Sequence, residues 1–303
     1  MRAVLLAILL AVPATYAAVA DEQAAGARLS DTYPHLCAGC LRFARVEDLK
    51  EGVIASADGL IISQKDIDEE TSASPASLRE QVRKYPMYAL EQMITRKLIL
   101  REAQNWAGQV GKDSKTPEQA LVREYLASQI PKIDVSSQEV EELYAEQAEK
   151  FGGASLETMR ATIADYCREE KRTGAELSFM DLVGKRRGIL VSAAWVKKQA
   201  EAWAKNPVEQ ARASGKPSFV NFGVIGCCDI MHPVIEAIRP VYGDRLNVVF
   251  VHVGEEKILA SLYGIRSIPV QVFMDKAGKE QSGHTGALSK EEVKAKLAEL
   301  GVK

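Results

Sequence analysis

Residues 216–238, "KPSFVNFGVIGCCDIMHPVIEAI", decide the fold of this chain. The first half is a short apolar run rich in Phe and Val, bounded by Pro217 and Gly223, which is the pattern of a buried strand. The second half spaces its apolar residues for a helix, with Pro233 near the start, where a missing N–H costs little. Cys227 and Cys228 stand side by side at the junction. A thiol there feels the positive end of the helix and its free backbone N–H groups. Both favour the thiolate, which is the nucleophile and the soft-metal ligand. Asp229 and the apolar neighbours Phe222, Val224 and Ile225 pull the other way. The pair therefore reads as a reactive dithiol, a metal clamp or two small apolar fillers.

Strands and helices alternate around this stretch: strand 218–222, helix 229–242, strand 247–253, helix 255–263, strands 270–274 and 279–282, and helix 290–300. Over 211–303 this resembles the thioredoxin fold. The resemblance rests on "SFVNF" at 218–222, Pro233, "GIRSIP" at 264–269 and "GHTGALSK" at 283–290. It implies a cis bond between Ile268 and Pro269, which shape a substrate groove beside the cysteines. It also implies an attacking Cys227 and a resolving Cys228. The chain departs from the family at the site itself: counting from the strand and back from Pro233, the two residues between the cysteines of Cys-x-x-Cys are missing. Asn221 stands at the family's buried aspartate, Phe250 at its buried lysine, and Gly226 in place of the tryptophan before the first cysteine. Acid–base assistance is lost, and a disulfide between neighbours closes a strained, comparatively oxidising ring.

The first half reads as helical with one hairpin at 52–62, turning near Asp58-Gly59. Ser63 and Asp66 resemble a helix cap. Met87, Leu90, Ile94 and Leu98 share one face, and Thr116-Pro117 and Ser136 through Glu139 open further helices. Met159, Ile163 and Tyr166 mark another stripe, with Cys167 beside it as a core residue. A short strand at 188–191 precedes a helix carrying Trp195, Val196, Gln199 and Trp203. The segments "GVIASADGLIISQKDIDEE", "ALEQMITRKLILREAQ", "DVSSQEVEELYAEQAEKFGG" and "ILVSAAWVKKQA" resemble the N-terminal chaperone region of the SurA/PpiC periplasmic family over 50–205. That resemblance implies a surface that binds non-native polypeptides; no room is left for a rotamase domain. The expected architecture is thus multidomain: an all-α module with a short hairpin, joined near 206–214 to an α/β thioredoxin fold.

Residues 1–20 read as a secretory signal: Arg2, an apolar run from Ala3 to Val12, Pro13, and small residues ending at Ala18-Val-Ala20. Cleavage near Ala20 implies a periplasmic or secreted protein, without a stable membrane span, in an oxidising compartment. Within the lead 21–49, Cys37-Ala-Gly-Cys40 is then expected to be a local structural disulfide, with a redox partner of Cys227 and Cys228 or a second metal site as the sharper readings. The 39 basic and 41 acidic residues are spread without a basic patch, which leaves no nucleic-acid footprint. No cofactor is called for. In the metal reading, Hg²⁺, Cu⁺ or trivalent arsenic would sit on Cys227 and Cys228, with Met231 or His232 as an optional third ligand. His35, His252 and His284 form no ligand spacing. The partners expected are unfolded or thiol-bearing polypeptides and a redox partner protein; a third reading is a docking module without turnover.

Overall fold

A computed structural model describes residues 26–34, 36–112, 115–147, 151–225 and 230–302. The first half is helical, as read, but carries more strand than the hairpin. Helix α1 (Leu29–Thr32) and a 3-10 turn (Gly39–Phe43) lead into β1 (Arg45–Glu47), followed by β2 (Val53–Ala57) and β3 (Leu60–Ser63). Helices α2 (Gln64–Ala73), α3 (Ala76–Lys84), α4 (Pro86–Gln109), α5 (Glu118–Gln129), α6 (Ser137–Gln147) and α7 (Leu156–Arg186) come next. Strand β4 (Leu190–Ser192) then returns to the sheet, ahead of α8 (Ala193–Trp203).

Local chemistry explains these elements. Asp58 and Gly59 both take positive φ (48° and 78°), the geometry of a two-residue hairpin turn whose twist suits the flanking strands. At α2 the capping box closes with an aspartate: Asp66 N–H donates to Ser63 Oγ, and Ser63 N–H to Asp66 Oδ2 at 2.8 Å. At α5, Pro117 rather than Thr116 occupies the cap position, and no side chain caps the helix. The sheet runs β1-β4-β2-β3, with β1 parallel to β4 in the register Arg45 opposite Leu190. Within the lead 21–49, β1 thus pairs with β4 of the helical half, and Leu29, Leu36, Cys40 and Leu41 lie buried in a core shared with it. Three-residue β1 has too short a pattern to read alone, and its partner lies far along the chain. The Tyr166 stripe also departs from expectation. Tyr166 is exposed and Cys167 half-buried, while Ile163 of the same stripe is buried.

The second half begins at α9 (Pro207–Ala213), where Asn206 Oδ1 accepts from the N–H groups of Val208 (2.9 Å) and Glu209 (3.0 Å). Strand β5 (Ser218–Gly223), α10 (His232–Tyr242), β6 (Asn247–His252), α11 (Lys257–Leu262), β7 (Val270–Met274), β8 (Glu280–Thr285) and α12 (Lys290–Glu299) complete it. The sheet order is β6-β5-β7-β8, with β6 parallel and β7 antiparallel to β5. Phe219 and Phe273 stack at 5.2 Å on the face that carries Ile235 and Val293. Val220 and Phe222 face the other core, which is continuous with that of the helical half.

The two halves are joined by a ladder of rings. Tyr85 meets Trp203 edge-on at 5.5 Å, Trp203 stacks on Tyr263 at 5.4 Å, and Tyr263 meets Phe222 at 5.7 Å. Tyr85 Oη donates to Glu256 (3.1 Å), Lys84 pairs with the same carboxylate, and Gln81 Oε1 accepts the Ile258 N–H (3.0 Å). Trp203 is buried between these rings. Trp203→Ala should therefore cost roughly 3–5 kcal/mol and weaken both halves together. Hydrogen exchange checks this: amide protection should fall in α4 and in β5, and a fall confined to one half would contradict the shared core.

Candidate functional site

Strand β5 is buried along all six residues, and its backbone is bonded on both sides. It delivers Val224 and Ile225 to the carboxyl edge of the sheet, and the described chain resumes at Ile230, just ahead of α10. Cys227 and Cys228, with Gly226 and Asp229, lie outside the described residues. The described surroundings form a cavity of about 70 Å³ lined by Asn221, Gly223, Val224, Ile230, Met231, Ile268 and Pro269. The Ile268–Pro269 bond is cis, as the resemblance implies. Pro269 O accepts the Gly286 N–H at 2.9 Å, which ties the loop to the end of β8. Ile225, Ile230 and Ile268 are all exposed. Ile230 and Ile268 line the cavity, and with Ile225 beside Val224 they put three branched apolar side chains in water at this end of the sheet, which suits contact with another chain.

The floor of the cavity is polar but uncharged. Asn221 and Gln271, paired across β5 and β7, are fully buried, and Gln271 Nε2 donates to Asn221 Oδ1 at 3.0 Å. One donor and one acceptor of the two amides stay without a partner among the described residues. Phe250 stands beside Asn221 on β6, where a cation would be needed to hold a charge. A Cβ on Gly223 would lie 3.0 Å from Asn221 Nδ2 and 3.4 Å from the Phe250 ring, so glycine gives the amide its room.

Met231, the optional third ligand of the metal reading, faces the core. Its side chain is buried, and Sδ accepts the Leu288 N–H at 3.3 Å, within the core that holds Phe219 and Ile235. The helical spacing from Cys227 does not show that the segment ahead of α12 brings the Leu288 N–H to this sulfur. His232 is exposed at the first residue of α10. Among the described residues, no group of three His, Cys, Asp or Glu side chains is placed to hold a metal ion.

Cys37 and Cys40 are both thiols here. Cys37 Sγ donates to Tyr33 O (3.7 Å) and Cys40 Sγ to Met180 O on α7 (3.4 Å). Burial pushes Cys37 up to about 11 and raises Cys40 as well. Two groups near these sites stand outside the motifs read from the sequence. Gln271 lies within a strand whose pattern reads as apolar. Glu91, only 9% exposed on α4, interrupts the face of Met87, Ile94 and Leu98. A carboxylate within an apolar stripe is the signal that points to it.

Residues 204–301 match the thioredoxin-like domain family. A thioredoxin of Acidithiobacillus ferridurans is 37% identical over 86 residues, covering 28% of this chain and 79% of that one. A thioredoxin of Chlorobaculum thiosulfatiphilum is 34% identical over 104 residues, covering 34% and 95%. Thioredoxin-like protein HCF164, chloroplastic, of Oryza sativa subsp. japonica is 34% identical over 89 residues, covering 28% and 34%, so this chain spans about a third of that relative. Through residues 204–301, the chain belongs to the thioredoxin family.

Proposed function

We propose that the chain is an exported thiol–disulfide exchange protein that acts on non-native or thiol-bearing polypeptides through Cys227 and Cys228. Cys227 attacks a disulfide of the bound chain, forming a mixed disulfide and releasing one thiol. Cys228 then attacks Cys227, releasing the second thiol and leaving the two neighbours joined. Two electrons pass to the substrate, and the two thiol protons leave with its sulfurs. The observation that carries this reading is the exposed apolar pair Ile230 and Ile268 lining the cavity at the end of β5, with Ile225 exposed next to Val224 of the same lining. Ile268 and Pro269 would hold the extended chain through backbone contacts.

The SurA-like module would hold the rest of the client. A cleft of about 990 Å³ lies between Gln147, Tyr166 and Glu170 of the α6–α7 arm and the loop 263–267 with β7 and β8. Its lining includes Ser267 and Val270, which flank Ile268 and Pro269 in sequence, and a client held there would lie close to the exchange site. Among the described residues, no helix is long and apolar enough to cross a membrane. The proposal includes export through the signal-like residues 1–20.

Two outcomes test the site. With Cys228→Ser, a disulfide-bearing peptide should be trapped as a mixed disulfide through Cys227. Cys227→Ser should trap little, and both should abolish insulin reduction with a thiol reductant. Equal trapping by the two variants would overturn the assigned order, and wild-type turnover by both would overturn the site. The second outcome follows from the uncharged floor. Asn221→Asp would place a carboxyl where burial raises its pKa, so the folded state keeps it neutral. Its native-like stability should be present at acid pH and fall as pH rises past the ordinary carboxylate range, by about 1.4 kcal/mol for each tenfold weakening of the acid on folding. Urea midpoints across pH decide this: the wild type should lack that loss, and a variant as pH-insensitive as the wild type would show the floor to be solvated.

A further inference from the structure

Strand β8 is an edge of the second sheet, and its register shows which backbone groups it leaves free. In an antiparallel ladder, opposed residues alternate between exchanging hydrogen bonds with each other and turning theirs to the far side. Gly286 N–H donates to Pro269 O at 2.9 Å, which marks that pair as a bonded one. Stepping along the register, Gln271 with His284 and Phe273 with Ser282 are bonded pairs, whereas Val270 opposite Thr285 and Val272 opposite Gly283 are not. The far-side groups of Val270 and Val272 turn to β5, where Phe222 and Val220 stand opposite them. Those of Gly283 and Thr285 turn away from the sheet. Among the described residues no strand lies beyond β8, and no loop backbone bonds to either residue. Both are exposed.

This free edge opens into the cleft of about 990 Å³ beside the α6–α7 arm, because Gly283 and Thr285 both line it. The surface behind them is apolar. Phe222, Val270 and Thr285 form one cross-strand row, and Val220, Val272 and Gly283 form the next, so the apolar face runs out to the edge and stops there. Exposed Tyr166 stands on the opposite wall. A glycine within an edge strand leaves its backbone unshielded, which suits the close approach of another backbone. The cleft is also charged at its two ends along this edge. Glu280, opposite Met274, lines one end, and Arg266, in the loop ahead of Val270, lines the other.

We propose that the free edge of β8 docks an extended segment of the client polypeptide, which adds to the four-stranded sheet as a fifth strand inside the cleft. The proposal rests on the exchange reading for what the client is, and adds how it is held. A row of free N–H and C=O groups is answered by another extended backbone. Every second side chain of that segment continues the rows that end at Gly283 and Thr285, so these side chains are apolar and those between them polar. A basic residue suits the Glu280 end. A strand of a second copy would bring its whole domain with it, and the arm carrying Gln147, Tyr166 and Glu170 closes the far side of the cleft, where that domain would have to stand. A segment held here leads past Thr285 toward Ile268 and Pro269, since Gly286 is tied to Pro269.

The test uses the full-length protein and a fluorescein-labelled, cysteine-free peptide of about eight residues in which Val alternates with Thr or Lys. Fluorescence anisotropy reads its binding. Two further peptides carry N-methyl groups, one on every Val and the other on every Thr and Lys, because an added strand turns only alternate N–H groups to its neighbour. One of them should bind roughly tenfold or more weakly than the parent, and the other about as well as the parent. On the protein, Thr285→Pro removes a free N–H and none of the β7–β8 bonds. It should weaken the parent peptide to a similar degree, and Thr285→Val, which keeps that N–H, should not. Should Thr285→Pro fail to fold, the methylated pair decides. Insulin reduction followed in parallel reports on Cys227 and Cys228 separately. Reduction without peptide binding overturns β8 docking alone; the expected binding pattern without reduction supports β8 docking and overturns the exchange reading. Equal binding of the two methylated peptides, or unchanged binding by Thr285→Pro, would overturn the proposal. So would a dimer in sedimentation that Thr285→Pro dissolves, because the edge would then belong to a second copy.

Discussion

The position of the β5 backbone is the constraint on which the rest of the domain depends. Six consecutive residues are bonded to β6 on one side and β7 on the other, with both faces buried. Shifting the strand by one residue would exchange Phe219 and Asn221 with Val220 and Phe222 between two differently shaped cores. That register fixes where the chain leaves the sheet, and hence that Val224 and Ile225 arrive opposite the Ile268–Pro269 loop. It also fixes Asn221 against Gln271, so the floor of the cavity is set by the same bonds that hold the sheet.

The helical half is not a tethered appendage. Phe222, one residue from the end of β5, contacts Tyr263, and the ring ladder continues through Trp203 to Tyr85 at the α3–α4 junction. Tyr263 Oη donates to Glu209 at 2.6 Å, so α9 and α11 are bound into the same network. This arrangement places the α6–α7 arm across a cleft from the loop before Ile268. In the proposed function, a helical half that binds the client beside the exchange site would let one polypeptide meet both without a diffusive search between them.

Much of this is legible in residues 216–238 and in "GIRSIP". Patterns of period two and 3.6, a helix-opening proline and a family loop at fixed distances are enough for the second domain. Asn206-Pro207 and Asp58-Gly59 are readable for the same reason: their geometry is local. What stays hidden depends on partners distant in sequence. β1 is three residues long and becomes a strand only because β4 arrives from residues 190–192. Met231 reads as an optional ligand from its spacing alone, and its burial and its contact with the Leu288 N–H are set by the segment ahead of α12. Tyr166 reads as core because periodicity locates a stripe but not whether another layer covers it. Glu91 carries a signal, an acid in an apolar face, without a motif to give it a role.

The central claim is that Cys227 and Cys228 form a working redox couple with each other. It is tested most directly by equilibrating the full-length protein with graded mixtures of reduced and oxidised glutathione, then mapping the Cys227–Cys228 peptide. The account predicts a single two-electron transition at that peptide, at more oxidising mixtures than a thioredoxin disulfide requires, because the eight-membered ring between neighbours is strained. If both thiols remain fully alkylatable across the whole range, or each pairs with a different cysteine, the account is contradicted.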